Sequence, residues 1–280
     1  MSMIIETQNL TKKFGDFVAN NNINLQVGKQ EIKCIVGENG AGKSTLMNML
    51  YGVFRPTSGK ILLNGEELVM NSPTDAIRHG IGMVHQHFKL VPSFTVYENI
   101  LLGSEITKKG LIDRRKEIEK VNELIEQYHF QIDPMARIQD ISVGLCQQVE
   151  ILKMLYRNVD ILILDEPTAV LTPQEVDQLM ENLKVLRDQG KTIIVITHKL
   201  REVMYLSDSV TVIKSGQVIG NVKTQDTSET ELAQMMVGRD VVLTVKNEDG
   251  PAPKEEEAYR VENIYTVNDA NQEILHNVSL

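Results

Sequence analysis

The sequence predicts an α/β fold, with a mixed and largely parallel sheet at its core, an antiparallel β portion ahead of it and a helical portion set into it. Three observations carry that prediction. Residues 37 to 50, GENGAGKSTLMNML, place three glycines and a lysine between the apolar run Ile32 to Val36 and an amphipathic helical pattern. Ile161 to Leu164 and Ile193 to Ile196 are apolar on both faces, as strands covered by helices on both sides must be. Between about 90 and 156 the pattern turns helical, with 3.6-residue spacing in TVYENILL and RRKEIEKVNELIEQY.

Taken in order, Ile4 to Asn9 and Asn22 to Val27 read as short strands ahead of the strand Ile32 to Val36. Lys60 to Leu63 and Leu68 to Met70 flank Asn64-Gly65, and Asn-Gly supplies the positive φ angles of a tight primed turn, so the stretch reads as a hairpin. A helical portion from about 88 to 158 follows. Between the two buried strands a helix opens at Thr172-Pro173-Gln174-Glu175 and ends at Gly190. That tetrad is a capping box with proline at the first helical position. A hairpin around Ser215-Gly216 and a last helix capped by Ser228 and Glu231 complete the pattern.

The composition then changes. Residues 246 to 257, KNEDGPAPKEEE, are charged, contain Pro and Gly and hold no apolar anchor, which is how a linker reads. Residues 261 to 280, VENIYTVNDANQEILHNVSL, echo residues 7 to 25, TQNLTKKFGDFVANNNINL. Asn263-Ile264 falls on Asn9-Leu10, and Asn277-Val278-Ser279-Leu280 on Asn22-Ile23-Asn24-Leu25 with one residue of slip. The chain reads as beginning a second copy of its own start and stopping.

With 280 residues and 42% hydrophobic content, the chain can build the core of one large domain or two small ones. Its formal net charge of -9 shows no stripe of Lys and Arg to neutralise a phosphate backbone, so nucleic acid is not an expected partner. No apolar run approaches the roughly 18 residues that span a bilayer, and Met1 to Leu10 lacks the basic and apolar regions of a secretory signal. The expectation is a soluble intracellular protein that reaches a membrane only through a partner. Cys34 and Cys146 are too few for a disulfide framework. Both are expected as packing residues in a reducing cytosol. His85 and His87 flank Gln86 without acidic or cysteine neighbours, so no metal site is expected there.

The glycine loop matches G-x-x-x-x-G-K-[ST] with Gly37, Gly42, Lys43 and Ser44, between a strand and a helix. Backbone N–H groups and the helix N-terminus can surround phosphates, Lys43 can reach the terminal ones, and the Ser44 hydroxyl can bind Mg²⁺. ILILDEP, residues 161 to 167, carries Asp165 and Glu166 to the carboxyl end of a buried strand, where open α/β sheets place their ligands. Asp165 is placed to hold the Mg²⁺ shell through water, and Glu166 to orient or deprotonate a water attacking a γ-phosphate. His198 follows the strand Ile193 to Ile196 and should emerge on the same sheet edge, as a γ-phosphate contact.

These residues resemble, across nearly the whole chain, the ATP-binding subunits of ABC transporters. GENGAGKST looks like Walker A, ILILDEP like Walker B with its catalytic glutamate, Gln86 in VHQHF like the Q-loop, His198 like the H-loop, and ISVGLCQQVEILKML like the signature segment. The resemblance implies a P-loop ATPase core with a mixed and parallel sheet, an antiparallel β subdomain and an α-helical subdomain. It implies ATP bound by Asn39, Gly40, Ala41, Gly42, Lys43, Ser44 and Thr45, with Phe14 stacked on adenine and Phe17 nearby able to serve. It implies Mg held by Ser44, Gln86 and Asp165, and catalysis by Glu166 with His198 and Gln86. Two such domains face each other head to tail, so Ser142 and Gly144 are expected to act in trans on the nucleotide of the opposing domain. The expected organisation is a nucleotide-binding domain over 1–245, a linker over 246–257 and the truncated start of a second nucleotide-binding domain over 258–280.

Two departures bear on the resemblance. The usual signature is Leu-Ser-Gly-Gly-Gln, whereas this chain has Ile141-Ser142-Val143-Gly144-Leu145, followed by Cys146 where glutamine is common. In the loop after Walker B, Thr172 of AVLT stands where an aspartate is usual. Both are familiar from the tandem ATPases of sugar and nucleoside importers, which carry SVG, EPTAVLTPQE and MVGR, here Met236 to Arg239. Within that branch GIGMVHQHFKLV, residues 80 to 91, looks most like the ATPases that work with purine-nucleoside binding lipoproteins. The implied partners are transmembrane permease subunits, a second nucleotide-binding domain and, indirectly, an extracellular solute-binding protein, with the chain held at the cytoplasmic face of the membrane. HFKLVPSFTVYENI, with Phe88, Val91, Phe94 and Tyr97, is the expected docking segment. The alternative is a soluble, non-transport ABC ATPase, which a membrane-subunit pull-down would separate from an importer. A GTPase switch is excluded because no Asn-Lys-x-Asp motif is present.

Overall fold

The computed structural model describes residues 2–237, 260–267 and 273–279, so the expected linker 246–257 lies outside the described residues. The chain divides into two compact units, Met1–Val241 and Val242–Leu280. The first begins with β1 (Met3–Phe14), β2 (Phe17–Ile23), β3 (Gln26–Gly28) and β4 (Ile32–Val36), then α1 (Lys43–Leu50), β5 (Ser58–Leu63), β6 (Glu66–Glu67), α2 (Pro73–Arg78) and β7 (Ile81–Val84). The middle holds α3 (Val96–Leu101), β8 (Thr107–Lys108), β9 (Leu111–Ile112), α4 (Arg114–Gln127) and α5 (Val143–Tyr156). It ends with β10 (Ile161–Asp165), α6 (Pro173–Asp188), β11 (Thr192–Ile196), α7 (Leu200–Leu206), β12 (Ser209–Lys214), β13 (Gln217–Lys223) and α8 (Glu229–Val237).

The central sheet has the order β13-β12-β4-β11-β10-β7. All its pairs are parallel except β12 with β13. Alternation along its strands splits the core in two. Cys34, Val36, Leu162, Leu164, Ile193 and Val195 face one cluster, with the apolar sides of α3 to α6. Ile35, Ile161, Ile163, Ile194 and Ile196 face the other, with α1, α2 and the antiparallel sheet. The loops at the carboxyl ends of β4, β10 and β11 therefore open on one edge, where β4 delivers the glycine loop.

The antiparallel sheet has the order β2-β1-β5-β6, with β3 also on β1. It differs from the expected pair of short strands. β1 runs on to Phe14, and the stretch expected as one strand over Asn22 to Val27 is divided between β2 and β3. The cause is local. Asn9 and Asn22 take φ of 49 and 51, and a register shift after Leu10↔Ile23 lets one long strand pair with β3 and β5 at one end and β2 at the other. Asn tolerates this left-handed backbone better than most side chains.

The Asn64-Gly65 turn has φ of 51 and 85, as its chemistry required. Leu68 and Met70 are not in the strand that follows it, because both turn into the core. The helical portion contains an unexpected hairpin, β8–β9, turning at Lys109 and Gly110 with φ of 53 and 83. Its two-residue strands are too short for a period to be read.

The second unit holds a hairpin, β14 (Ile264–Val267) with β15 (Glu273–Val278). Its described backbone repeats the start of the chain. Ile264 pairs with Val278 as Leu10 pairs with Ile23, and Asn263 and Asn277 have φ of 51 and 53, like Asn9 and Asn22. The N–H of Asn263 donates to Ser279 Oγ at 3.2 Å, as that of Asn9 donates to Asn24 Oδ1 at 2.9 Å.

Candidate functional site

The glycine loop is built by close packing. A side chain at Gly37 would overlap the Ile213 carbonyl, and one at Gly42, where φ is +100, would overlap the Ala19 carbonyl. Asn20 Nδ2 donates to the Gly42 carbonyl at 3.1 Å, so β2 presses the loop against the start of α1. The buried Lys43 donates from Nζ to the carbonyls of Gly37 at 2.8 Å and Glu38 at 2.9 Å. The first-turn N–H groups of α1 have no side-chain cap and no acceptor within the helix, which is what helix N-termini offer to anions.

A cavity of about 490 Å³ opens above the loop. Asn39, Gly40, Gly42, Lys43, Ser44 and Thr45 line one side, and Gln86, Asp165 and Glu166 the other. Phe17 and Ala19 close a third wall. Ala41 is buried, and its carbonyl accepts from the Gly216 N–H at 3.0 Å, so it anchors the loop from behind. Phe14 stands off the cavity lining, 44% exposed, with its ring edge to face on Phe54 and the Lys12 ammonium 5.1 Å from its centre.

β10 ends at Asp165, whose carboxylate accepts from the Ser44 hydroxyl. Burial pushes the Asp165 carboxyl above its ordinary value; the Ser44 hydrogen bond opposes this, Glu166 adds to it and Lys43 opposes it. Burial pulls Lys43 below its ordinary value, against the attraction of Glu166 and Asp165. Both charges are costly here in the chain alone.

Glu166 has a φ of 45, an unusual backbone for a non-glycine residue. Its N–H donates to the Ile196 carbonyl at 3.0 Å, which holds the residue in that conformation and turns the carboxylate outward. Two side chains bracket it. Gln86 Nε2 donates to Oε2 at 3.4 Å, and His198 Nδ1 lies 3.1 Å from Oε1. The three expected catalytic residues are thus gathered at one cavity mouth from three different strand ends.

Supporting contacts that the sequence reading missed fix this trio. Lys199 Nζ donates to the Thr168 carbonyl at 2.9 Å, and Thr168 Oγ1 donates to Glu202 at 2.7 Å, joining the loop after β10 to the turn that carries His198. The segment after Gln86 is held by Glu150 of α5, which accepts from the Lys89 N–H at 2.6 Å, and by Asn99 of α3, which bonds the Val91 N–H and carbonyl at 2.7 and 3.1 Å. These partners lie eight to 61 residues away in sequence, with no local signal. Of the expected docking residues, Tyr97 is buried in the core and Phe94 is 38% exposed.

Ser142 and Gly144 lie outside this cavity. They open α5 and line a separate pocket of about 180 Å³ with Glu175 and Gln178 of α6. Val143 beside them is 42% exposed, so the departure from glycine costs no internal packing. Among the described residues no group of three or more His, Cys, Asp or Glu could hold a metal alone. Ser44, Gln86 and Asp165 all line the cavity and offer hard oxygen donors, a set that suits Mg²⁺ when a phosphate supplies further oxygens. No described helix is long and apolar enough to cross a membrane.

A family model described as ABC transporter matches residues 20–169. The nucleoside import ATP-binding protein NupA of Lactococcus lactis subsp. cremoris (strain MG1363) is 52% identical over 238 residues, covering 85% of this chain and 47% of that protein. The guanosine import ATP-binding protein NupO of Bacillus subtilis (strain 168) is 52% identical over 241 residues, covering 86% of this chain and 47% of that protein. The chain spans about half the length of the curated relatives it matches. Among solved structures, MJ1267, an ATP-binding cassette of an ABC transporter in its ADP conformation, superposes with a TM-score of 0.74 at 26% identity, over 85% of this chain and 96% of that one.

Proposed function

The chain belongs to the ABC transporter family, and we propose that it is the first nucleotide-binding domain of a tandem importer ATPase, hydrolysing ATP to power uptake of a nucleoside or simple sugar. The observation that carries this reading is the bracketing of the Glu166 carboxylate by Gln86 and His198 at the mouth of the phosphate-loop cavity. The nucleoside and guanosine import named for the relatives supports a purine nucleoside as the cargo class.

In this reading the triphosphate of ATP lies against the N–H groups of residues 39–45, with Lys43 moving from the Gly37 and Glu38 carbonyls to the terminal phosphates. A polyanion restores the favour of the charged lysine. Ser44, Gln86 and, through water, Asp165 would hold magnesium, which would supply charge neutralisation to the bound phosphates. Glu166 takes the proton of the attacking water, Gln86 holds the Glu166 carboxylate toward the cavity, and His198 bridges Glu166 and the γ-phosphate. Phe14 stacks on adenine from the rim.

Ser142 and Gly144 bind the γ-phosphate of ATP held by an opposing domain, so ATP joins two faces. The closing motion is passed to transmembrane permease subunits, which hold this domain at the cytoplasmic face of the membrane and receive cargo from an extracellular solute-binding protein. The nucleotide-binding domain spans 1–245 with its helical subdomain at about 88–158, residues 246–257 form a linker, and 258–280 begin a second domain. The repeated Asn φ angles, strand pairing and side-chain hydrogen bond of the second hairpin support that assignment.

The test is MgATP turnover measured against chain concentration, with Glu166→Gln alongside. We expect a rate that climbs faster than linearly, because each site needs a second copy, and a loss of about 10²- to 10⁴-fold in the variant. Turnover strictly proportional to concentration, or a variant as active as the parent, would contradict the reading.

A further inference from the structure

Within this chain the N-terminus of α5 already carries an oxyanion. Glu175 Oε1 accepts from Ser142 Oγ at 2.9 Å and from the Gly144 N–H at 3.0 Å. These are the two groups proposed above to hold a γ-phosphate. The second carboxylate oxygen is engaged elsewhere. Oε2 accepts from the Thr172 N–H and Oγ1, both at 3.0 Å, closing the capping box of α6. One side chain therefore caps its own helix with one oxygen and the facing helix with the other.

The approach depends on glycine. A side-chain carbon at Gly144 would collide with the Glu175 carboxylate group, so the position that admits a phosphate admits this carboxylate. The same hydrogen bonds hold the Glu175 carboxyl below its ordinary value, the Thr172 N–H contributing most and Ser142 next. Glu175 is thus an anion at neutral pH, held at a helix end by charge-assisted bonds.

We propose that Glu175 is an internal competitor for the γ-phosphate, occupying the signature groups Ser142 and Gly144 at rest and leaving them only when ATP on an opposing domain displaces it. The inference rests on the head-to-tail reading. Its consequence is selectivity, since a diphosphate ends short of the signature groups and presents no anion to replace the carboxylate. Closure is then opposed until a triphosphate arrives.

Glu175→Gln separates the two roles of this side chain. Glutamine can still close a capping box, with its oxygen toward Thr172 and its NH₂ toward the Gly144 N–H, where it cannot accept. MgATP-driven association is measured by sedimentation in the Glu166→Gln background, with and without Glu175→Gln, alongside thermal melting and MgATP affinity. We expect association about three- to tenfold tighter with Glu175→Gln, as loss of one charge-assisted acceptor implies, with the phosphate-loop affinity unchanged and none of the gain with MgADP. A solely structural role predicts a lower melting temperature and weaker association. Equal or weaker association in the double variant would overturn the proposal alone. Absence of MgATP-dependent association in both proteins, with nucleotide still bound, would overturn the head-to-tail reading and this proposal with it.

Discussion

At the scale of single residues, the site is made of groups whose present partners are the ones a nucleotide would replace. Lys43 rests on two carbonyls, and Asp165 accepts from the hydroxyl proposed to bind magnesium. Burial pushes the pKa values of this lysine and this acid toward neutrality, in opposite directions. The aromatic residues divide differently. Phe17 lines the cavity at 65% exposure, while Phe14 lies outside the lining with its edge on Phe54. If Phe14 is the adenine platform, Phe14→Ala should weaken ATP binding about tenfold, since base stacking on an aromatic ring contributes roughly 1–3 kcal/mol. Phe17→Ala should change it little. Titration of each variant with a fluorescent ATP analogue checks this, and the reverse order would move the platform to Phe17.

At the scale of elements, the segment after Gln86 has no secondary structure of its own to hold it, and two helices supply the restraint. Asn99 is fully buried on α3 and bonds both backbone groups of Val91 as well as the Thr95 carbonyl. Glu150 on α5, the helix that opens with the signature residues, bonds the Lys89 N–H. This bond ties α5 to the chain that carries Gln86. Asn99→Leu should cost about 2 kcal/mol of stability, because it leaves buried backbone groups without partners. It should also lower turnover more than ATP affinity. Chemical denaturation and steady-state kinetics on the one variant separate these effects. The capping residues were legible, since Thr172 and Glu175 announce the start of α6. The tethers were not, because a buried Asn in an amphipathic pattern carries no sign of what it bonds.

At the scale of the molecule, every described residue of the two hydrophobic clusters belongs to the first unit. A lone two-stranded hairpin is marginal in water, and Tyr265 and Leu275 of the second hairpin are 55% and 40% exposed. A chain ending at Val241 should therefore keep the melting temperature and ATP affinity of the whole. Differential scanning calorimetry with a parallel ATP titration decides it, and a fall in either would assign the terminal segment a role in the first unit. The same exposure is expected of a strand pair proposed to begin a second domain.

The sequence by itself determined the parts governed by local rules: the glycine loop between strand and helix, the buried strands β10 and β11, the Asn64-Gly65 turn, the cap of α6 and the echo of Asn9 and Asn22 in Asn263 and Asn277. Each is set by backbone sterics, hydrogen-bond capping or hydrophobic period, which act over a few residues. Only the tertiary structure decided that β1 bends between two partners, that β2 rather than the loop itself shapes Gly42, that Gln86 and His198 meet on Glu166, and that Glu175 reaches the signature helix. The contacts at Gly42, Glu166 and Glu175 join residues from 22 to 80 positions apart. Long-range packing of the sheet brings them together, and no short stretch of chain encodes such a distance.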